Sequence, residues 1–256
     1  MNSSFYDELA PFYHLLYDDW EVAIQTQGAA LTSLLLAKGV RPGGAVLDTA
    51  CGIGTQTLGL AARGYQVLAS DVSPGAVARL AEEASQRGFA IHCYVDDLRL
   101  LTLAATDSAE AVLACDNSLP HLLTDDDLLE AFQSALRVLK PNGVAVYSVR
   151  DYLNLPRKNP DVRPYDLRYD GKDRLLAVQV WEWDGDQYDL RMYLTRESVD
   201  GRCSTRVLVT RYYAISIDRL MELMSQAGFV SVERRDDVLF QPVILGQKRS
   251  NRTVQL

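Results

Sequence analysis

Val46-Leu47-Asp48-Thr49-Ala50-Cys51-Gly52-Ile53-Gly54-Thr55 is the stretch that decides the fold. Its apolar start, with Ala45–Asp48 as a strand, runs into a tight G-x-G turn that opens a helix over Gln56–Arg63. Glycines in such a turn let a ligand approach backbone N–H groups closely. A bare G-x-G is weak evidence, so the context carries the argument. The next strand, Gln66–Asp71, ends on a carboxylate, and an acid at that place can accept both hydroxyls of a ribose. A dinucleotide fingerprint would put a third small residue at position 57, where this chain has Thr57. The turn therefore points to an adenosyl ligand without a pyrophosphate.

Outward from the turn, short apolar runs alternate with helical patterns, as in a parallel sheet with helical crossovers. On the N-terminal side, the first 40 or so residues read as helical, with Trp20 to Lys38 closed by Gly39. On the C-terminal side, Ser73-Pro74 starts a helix, Ser as N-cap and Pro at the first helical position. Strands are expected at Ile91–Val95 and Ala111–Cys115. A helix capped by Thr124 is expected to close at Pro141-Asn142-Gly143, before a fifth strand at Val144–Val149. Residues 151–172 read as an irregular crossing. Leu175–Trp183, Tyr188–Thr195 and Cys203–Tyr213 read as a meander joined at Asp184-Gly185 and Asp200-Gly201. A last helix, Ile217–Ala227 between Ser216 and Gly228, precedes strands near Phe229–Arg234 and Pro242–Gly246.

Composition narrows the partners. The 256 residues, 48% hydrophobic, suffice for a large core. Lys and Arg number 26 against 34 Asp and Glu, a net charge of −8, and no basic run supplies a phosphate-binding stripe. Nucleic acid is not expected as a partner. No apolar stretch is long enough for a membrane span, and the first residues lack the basic head of a signal peptide. Four cysteines without a C-x-x-C spacing point to a reducing cytoplasm and away from zinc; no metal is expected.

With these residues in view, the chain resembles the class I S-adenosylmethionine-dependent methyltransferases. Asp48 to Gly54 is similar to that family's first motif, Asp71 falls on its ribose-binding acid, and Asp97-Leu98 resembles its adenine-binding pair. Leu139-Lys140-Pro141-Asn142-Gly143 is similar to its turn before strand five. The resemblance implies an α/β, Rossmann-like sheet with helices on both faces, an inserted antiparallel β-meander and an N-terminal helical lid. It implies one domain over 1–256: lid 1–40, cofactor-binding core 41–150, meander 151–213, and the rest of the core sheet in 214–256.

Within the family, Cys115-Asp116-Asn117-Ser118-Leu119-Pro120-His121-Leu122 and Ser148-Val149-Arg150-Asp151-Tyr152 look most like the glycine/sarcosine N-methyltransferase group. Carried over, Asn117 would contact the acceptor's amine or carboxylate, Arg150 would clamp its carboxylate, and Tyr17 would close on it. S-adenosylmethionine would be held by Tyr13, Trp20, Asp48, Ala50, Gly52, Gly54, Asp71, Val72, Asp97, Leu98 and Asp116. Tyr6, Tyr13, Tyr17 and Trp20 resemble the aromatic lid, but no residue here aligns with an Arg found there in the animal enzymes; the nearest positions are Ile24 and Gln25. The implied reaction is methyl transfer to the amine of a small acceptor such as glycine or sarcosine. The alternatives are another small metabolite (an O-linked or sugar-amine acceptor) and cofactor binding without turnover; self-association is left open. Thr57 and the lack of a Tyr-x-x-x-Lys relay disfavour a nicotinamide oxidoreductase. His121, Trp181 and Trp183 read as packing residues, and Cys51 and Cys115 as small fillers.

Overall fold

The computed structural model describes residues 3–250. Its main sheet holds β1 (Ala45–Asp48), β2 (Gln66–Asp71), β3 (His92–Val95), β4 (Ala109–Ala114), β5 (Leu139–Ser148), β11 (Val230–Arg235) and β12 (Val243–Gln247). The order across it is β11-β12-β5-β4-β1-β2-β3. β1 to β5 pair in parallel, while β12 runs antiparallel between β5 and β11. The chain builds outward from β1 to β3, then returns to place β4 on the other side of β1. A crevice at the carboxyl ends of β1 and β4 follows from that reversal.

Strand residues alternate between two apolar layers, as in a sheet covered on both faces. Val46, Ala111, Leu113, Val144 and Val146 pack with Leu31, Leu34 and Leu35 of α2 (Trp20–Ala37) and Leu60 of α3 (Thr55–Ala61). Leu47, Val112, Ala145 and Tyr147 share a cluster with α5 (Asp125–Val138) and α6 (Ile217–Ala227). α4 (Pro74–Gln86) covers β2 and β3. The Ser73, Thr124 and Ser216 side chains accept from backbone N–H groups of the first turns of their helices, as their positions in the sequence predict.

The second sheet is larger than the sequence pattern suggests. β8 (Asp173–Asp184), β9 (Gln187–Glu197) and β10 (Cys203–Tyr213) form the expected meander, but β6 (Asp161–Pro164) and β7 (Arg168–Asp170) both pair with β8. These two fall in the stretch read as irregular; strands so short, rich in Pro and charge, carry no legible alternation. A second correction concerns Pro141-Asn142-Gly143. The helix ends earlier, at Val138, and β5 starts at once; residues 140–143 form an irregularity between the Ala109–Leu139 and Ala111–Val144 pairs, with Asn142 at φ 66°. The inner face of the meander, with Trp181, Tyr188, Met192 and Tyr212, joins the same core as β4 and β5. α1 (Ser3–Leu9) packs against α4 and β10. Among the described residues, no helix is long and apolar enough to cross a membrane.

One close crossing seats the N-terminal segment. A Cβ on Gly59 of α3 would stand 2.6 Å from the Ile24 carbonyl oxygen and 2.8 Å from Gly28 Cα of α2. Arg63 fastens the same crossing, donating to the Gly59 and Gln25 carbonyls at 2.8 and 2.7 Å. Gly59→Val must push the helices apart, and urea unfolding should show a loss of about 2–3 kcal/mol. An unchanged midpoint and slope would mean that this crossing is not close-packed.

Candidate active site

The turn after β1 is set by backbone bonds to both neighbouring strands. Thr49 donates its N–H (2.9 Å) and hydroxyl (2.8 Å) to the Leu113 carbonyl of β4, and Cys51 N–H donates to the Ser70 carbonyl of β2 at 3.0 Å. Gly52, at φ 50°, donates its N–H to Asp71 Oδ2 at 2.9 Å, while Ser73 N–H donates to Oδ1 at 3.0 Å. Asp48 lies beneath the turn, not in it. Its buried carboxyl accepts from the Thr57 hydroxyl at 2.7 Å, and burial pushes its pKa up to about 7. Thr57, which argues against a dinucleotide in the sequence, thus has a positive task here.

The cleft above the turn encloses about 670 Å³ of atom-free space, counting its open mouth. Ala50, Gly52, Ile53, Asp71, Val72 and Leu98 form one side. Tyr6, Tyr13 and Tyr17 close the opposite side. Tyr13 and Tyr17 stack at 6.2 Å, and a Cβ on Gly52 would reach 3.7 Å from Tyr13 Cε1. Asp7 ties this N-terminal wall down, accepting from the Ser73 hydroxyl (2.6 Å) and Gly75 N–H (2.8 Å) at the start of α4. Arg168 of β7 holds it from the other side, donating to the Tyr17 carbonyl and pairing with Asp18.

The far end is built by β4 and β5. Asp116 and Asn117 both take the left-handed conformation, φ 56° and 67°. Ser148 fixes them: its hydroxyl accepts from Asp116 N–H at 2.8 Å and its carbonyl from Asn117 N–H at 2.9 Å. Tyr17 and Gln56 donate to Asp116 Oδ2, each at 3.0 Å. Asp116 Oδ1 is buried and has no partner among the described residues. The same is true of Nη1 of Arg150, whose guanidinium lies 5.3 Å from the centre of the Trp181 ring. His121 bonds the Tyr6 hydroxyl through Nε2 at 2.7 Å, its ring 4.1 Å from that of Tyr212. Burial, with Arg150 nearby, pushes its pKa down to about 3, so it stays neutral.

Of the residues expected at the site, Tyr13, Tyr17, Ala50, Gly52, Asp71, Val72, Leu98 and Asp116 do line the cleft. Six others are placed beside it. Asp48 props the turn, as described. Gly54, at φ 100°, starts α3 against α4, where a Cβ would meet Leu80 Cδ1 at 2.2 Å. Trp20 is buried at the start of α2 and donates to Thr55 Oγ1 at 2.8 Å. Asp97 turns its carboxylate onto Arg99, two residues on, at 2.6 Å. Asn117 is buried, donating to the Tyr152 hydroxyl (2.8 Å) and accepting from Arg150 N–H (3.0 Å), so it positions Arg150's backbone. Arg150 stands between the cleft and the aromatic meander face. Trp181 is packed, as expected, stacked on Tyr188 at 4.4 Å. The sequence reading missed Thr55, Gln56, Ser118 and His121 as wall residues. Gln56 and His121 were detectable as polar side chains on otherwise apolar faces.

Residues 46–143 match the family model described as "Methyltransferase domain". The chain is 30% identical over 199 residues to "Putative methyltransferase YqeM" of Bacillus subtilis (strain 168), 73% of this chain and 74% of that protein. It belongs to the S-adenosylmethionine-dependent methyltransferases. A relative named glycine/sarcosine N-methyltransferase, from Parasynechococcus marenigrum (strain WH8102), is 30% identical over 189 residues, 70% of this chain and 66% of that protein. The fold is similar to that of an S-adenosylmethionine-dependent methyltransferase from Clostridium acetobutylicum ATCC 824. There the TM-score is 0.78, with 14% identity, over 96% of this chain and 99% of that one.

The cleft fits the family's methyl donor. A Cβ on Gly52 would intrude into the space over the turn, and Val72 and Leu98 offer apolar walls suited to a flat base. Asp71→Ala removes the acid that faces this space, and calorimetry should show donor affinity reduced by about 1.5–3 kcal/mol. Unchanged affinity would remove Asp71 from the site. Asp48 gives a pH signature. With its pKa raised on folding, it favours the folded state fully below about pH 4, and this contribution is lost as pH rises to 7. Asp48→Asn should flatten that decline by up to about 4 kcal/mol in denaturant titrations from pH 4 to 8; parallel curves would show that Asp48 titrates normally.

Proposed function

We propose that this methyltransferase N-methylates a small acceptor bearing a carboxylate, an amino acid of the size of glycine or sarcosine. The observation that carries the reading is Arg150. Its guanidinium is always charged, and its Nη1 is buried without a partner among the described residues. A buried donor of a charged group left without an acceptor is costly, and an anion would complete it. Its planar donors match a carboxylate, two parallel N–H bonds to two oxygens. The Tyr152, Tyr188 and Trp181 rings around it exclude water, which strengthens such a pair. The likeness to a relative named for glycine and sarcosine supports the same acceptor class.

In this reading Asp71 takes the ribose hydroxyls of the donor, Val72 and Leu98 hold its base, and Tyr13 and Tyr17 shut the cleft over it. When bound, S-adenosylmethionine supplies an activated methyl group on a sulfonium. The remaining work of the chain is alignment and exclusion of water; alignment alone can contribute ~7–11 kcal/mol. Asn117 sets the Arg150 backbone, and Arg150 sets the acceptor.

The test compares glycine and sarcosine with their methyl esters, in wild type and in Arg150→Lys. Wild type should strongly prefer the free carboxylates. The variant should lose roughly 2–5 kcal/mol in kcat/KM toward them, with donor affinity intact. Equal turnover of acid and ester by the wild-type protein would overturn the reading.

A further inference from the structure

Among the described residues, Arg150 is one of two charged side chains at this end of the cleft that hold a buried atom without a partner. The other is Asp116. Its Oδ2 is held by Tyr17 and Gln56, which fixes the carboxylate plane and leaves Oδ1 buried in the cleft wall with no partner among the described residues. The backbone is equally committed. Asp116 sits at φ 56°, a conformation uncommon for a residue with a side chain, and Ser148 pins its N–H. Asn117, the next residue, accepts from the N–H of Arg150. One pinned turn therefore presents a carboxylate oxygen without a partner, among the described residues, beside the residue that sets a guanidinium nitrogen without one. A zwitterion completes both.

We propose that Asp116 Oδ1 is the site that receives the acceptor's ammonium group and takes its proton before methyl transfer. This rests on the reading of the acceptor as a small amino acid. In the step, one N–H bond of the ammonium breaks and its electron pair stays on nitrogen. The proton forms an O–H bond on Asp116, leaving a neutral carboxyl and an amine with a free lone pair. The carboxyl later returns the proton to water.

The surroundings favour the transfer. Tyr13, Tyr17, Cys115, Asp48 and Arg150 face Asp116. Burial pushes the two phenols and the Cys115 thiol up, so they are neutral at physiological pH. Burial also raises the Asp116 carboxyl, against the pull of its Gln56 and Tyr17 bonds and of Arg150. The same burial lowers the pKa of a bound ammonium, so the two groups are brought toward each other.

Asp116→Asn is the informative variant. Asn is among the residues best tolerated at positive φ, and its amide oxygen can still accept from Tyr17 and Gln56. Binding is measured by calorimetry with glycine and with acetate, which has the carboxylate but no amine, on protein saturated with S-adenosylhomocysteine. The variant should lose at least ten-fold in glycine affinity and keep acetate affinity, whereas Arg150→Lys should lose both. In turnover, kcat of Asp116→Asn should fall 10²–10⁴-fold at pH 7 and climb steadily toward pH 9 as free amine becomes available, while wild type levels off. Unchanged glycine affinity and an unchanged pH profile in Asp116→Asn, with Arg150→Lys still defective, would overturn the proposal and leave the carboxylate reading standing. Loss of donor affinity instead would assign Asp116 to the donor and equally overturn it. If wild type binds neither glycine nor acetate, the acceptor reading itself fails.

Discussion

The bond from Gly52 N–H to the Asp71 carboxylate ties the turn after β1 to the end of β2, and the whole cleft is arranged around it. Parallel strands deliver their carboxyl ends to one edge, and each chain segment must reverse there in little space. Gly52 donates to that carboxylate from a left-handed conformation, φ 50°, which glycine adopts without a steric penalty. Asp71 in turn accepts from Ser73, the N-cap of α4, so one carboxylate joins a turn, a strand and a helix start. The N-terminal wall then anchors on that same helix start through Asp7.

The far end of the cleft follows a different economy. At Gly52, both oxygens of the Asp71 carboxylate accept from backbone N–H groups. At Asp116 and Arg150 one buried atom of each lacks a partner among the described residues, and left-handed backbone is held in place by Ser148 to keep them so. A fold this size has a large core on both faces of its sheet to offset such local losses. The contrast separates a part of the site that is complete without ligand from a part that is not.

Local chemistry was legible in the sequence; direction was not. Ser73-Pro74 and the Ser216 to Gly228 pair set helix ends within one residue, because caps act over a single turn. The G-x-G turn and Asp71 were readable for the same reason. Family resemblance, by contrast, assigns roles by position along the chain, and side-chain direction depends on distant partners. Asp97 is captured by Arg99, Asn117 by Tyr152, and Trp20 by Thr55. β6 and β7 were illegible because they exist only as partners of β8.

The hydroxyls of Tyr6 and Tyr212 stand 3.2 Å apart, and His121 bonds one and packs on the other. Three widely separated stretches of chain thus meet at one point. On the ribosome, the segment carrying Tyr6 emerges before all three of its anchors: α4 and His121 follow in turn, and Tyr212 of β10 comes last. Closing so long a loop is an entropic cost met late, and contacts of this separation form slowly. The two-faced sheet through β5 can assemble while the cleft still lacks a wall. A growing chain can therefore pair β1 to β5 before the last corner of its substrate cleft is closed.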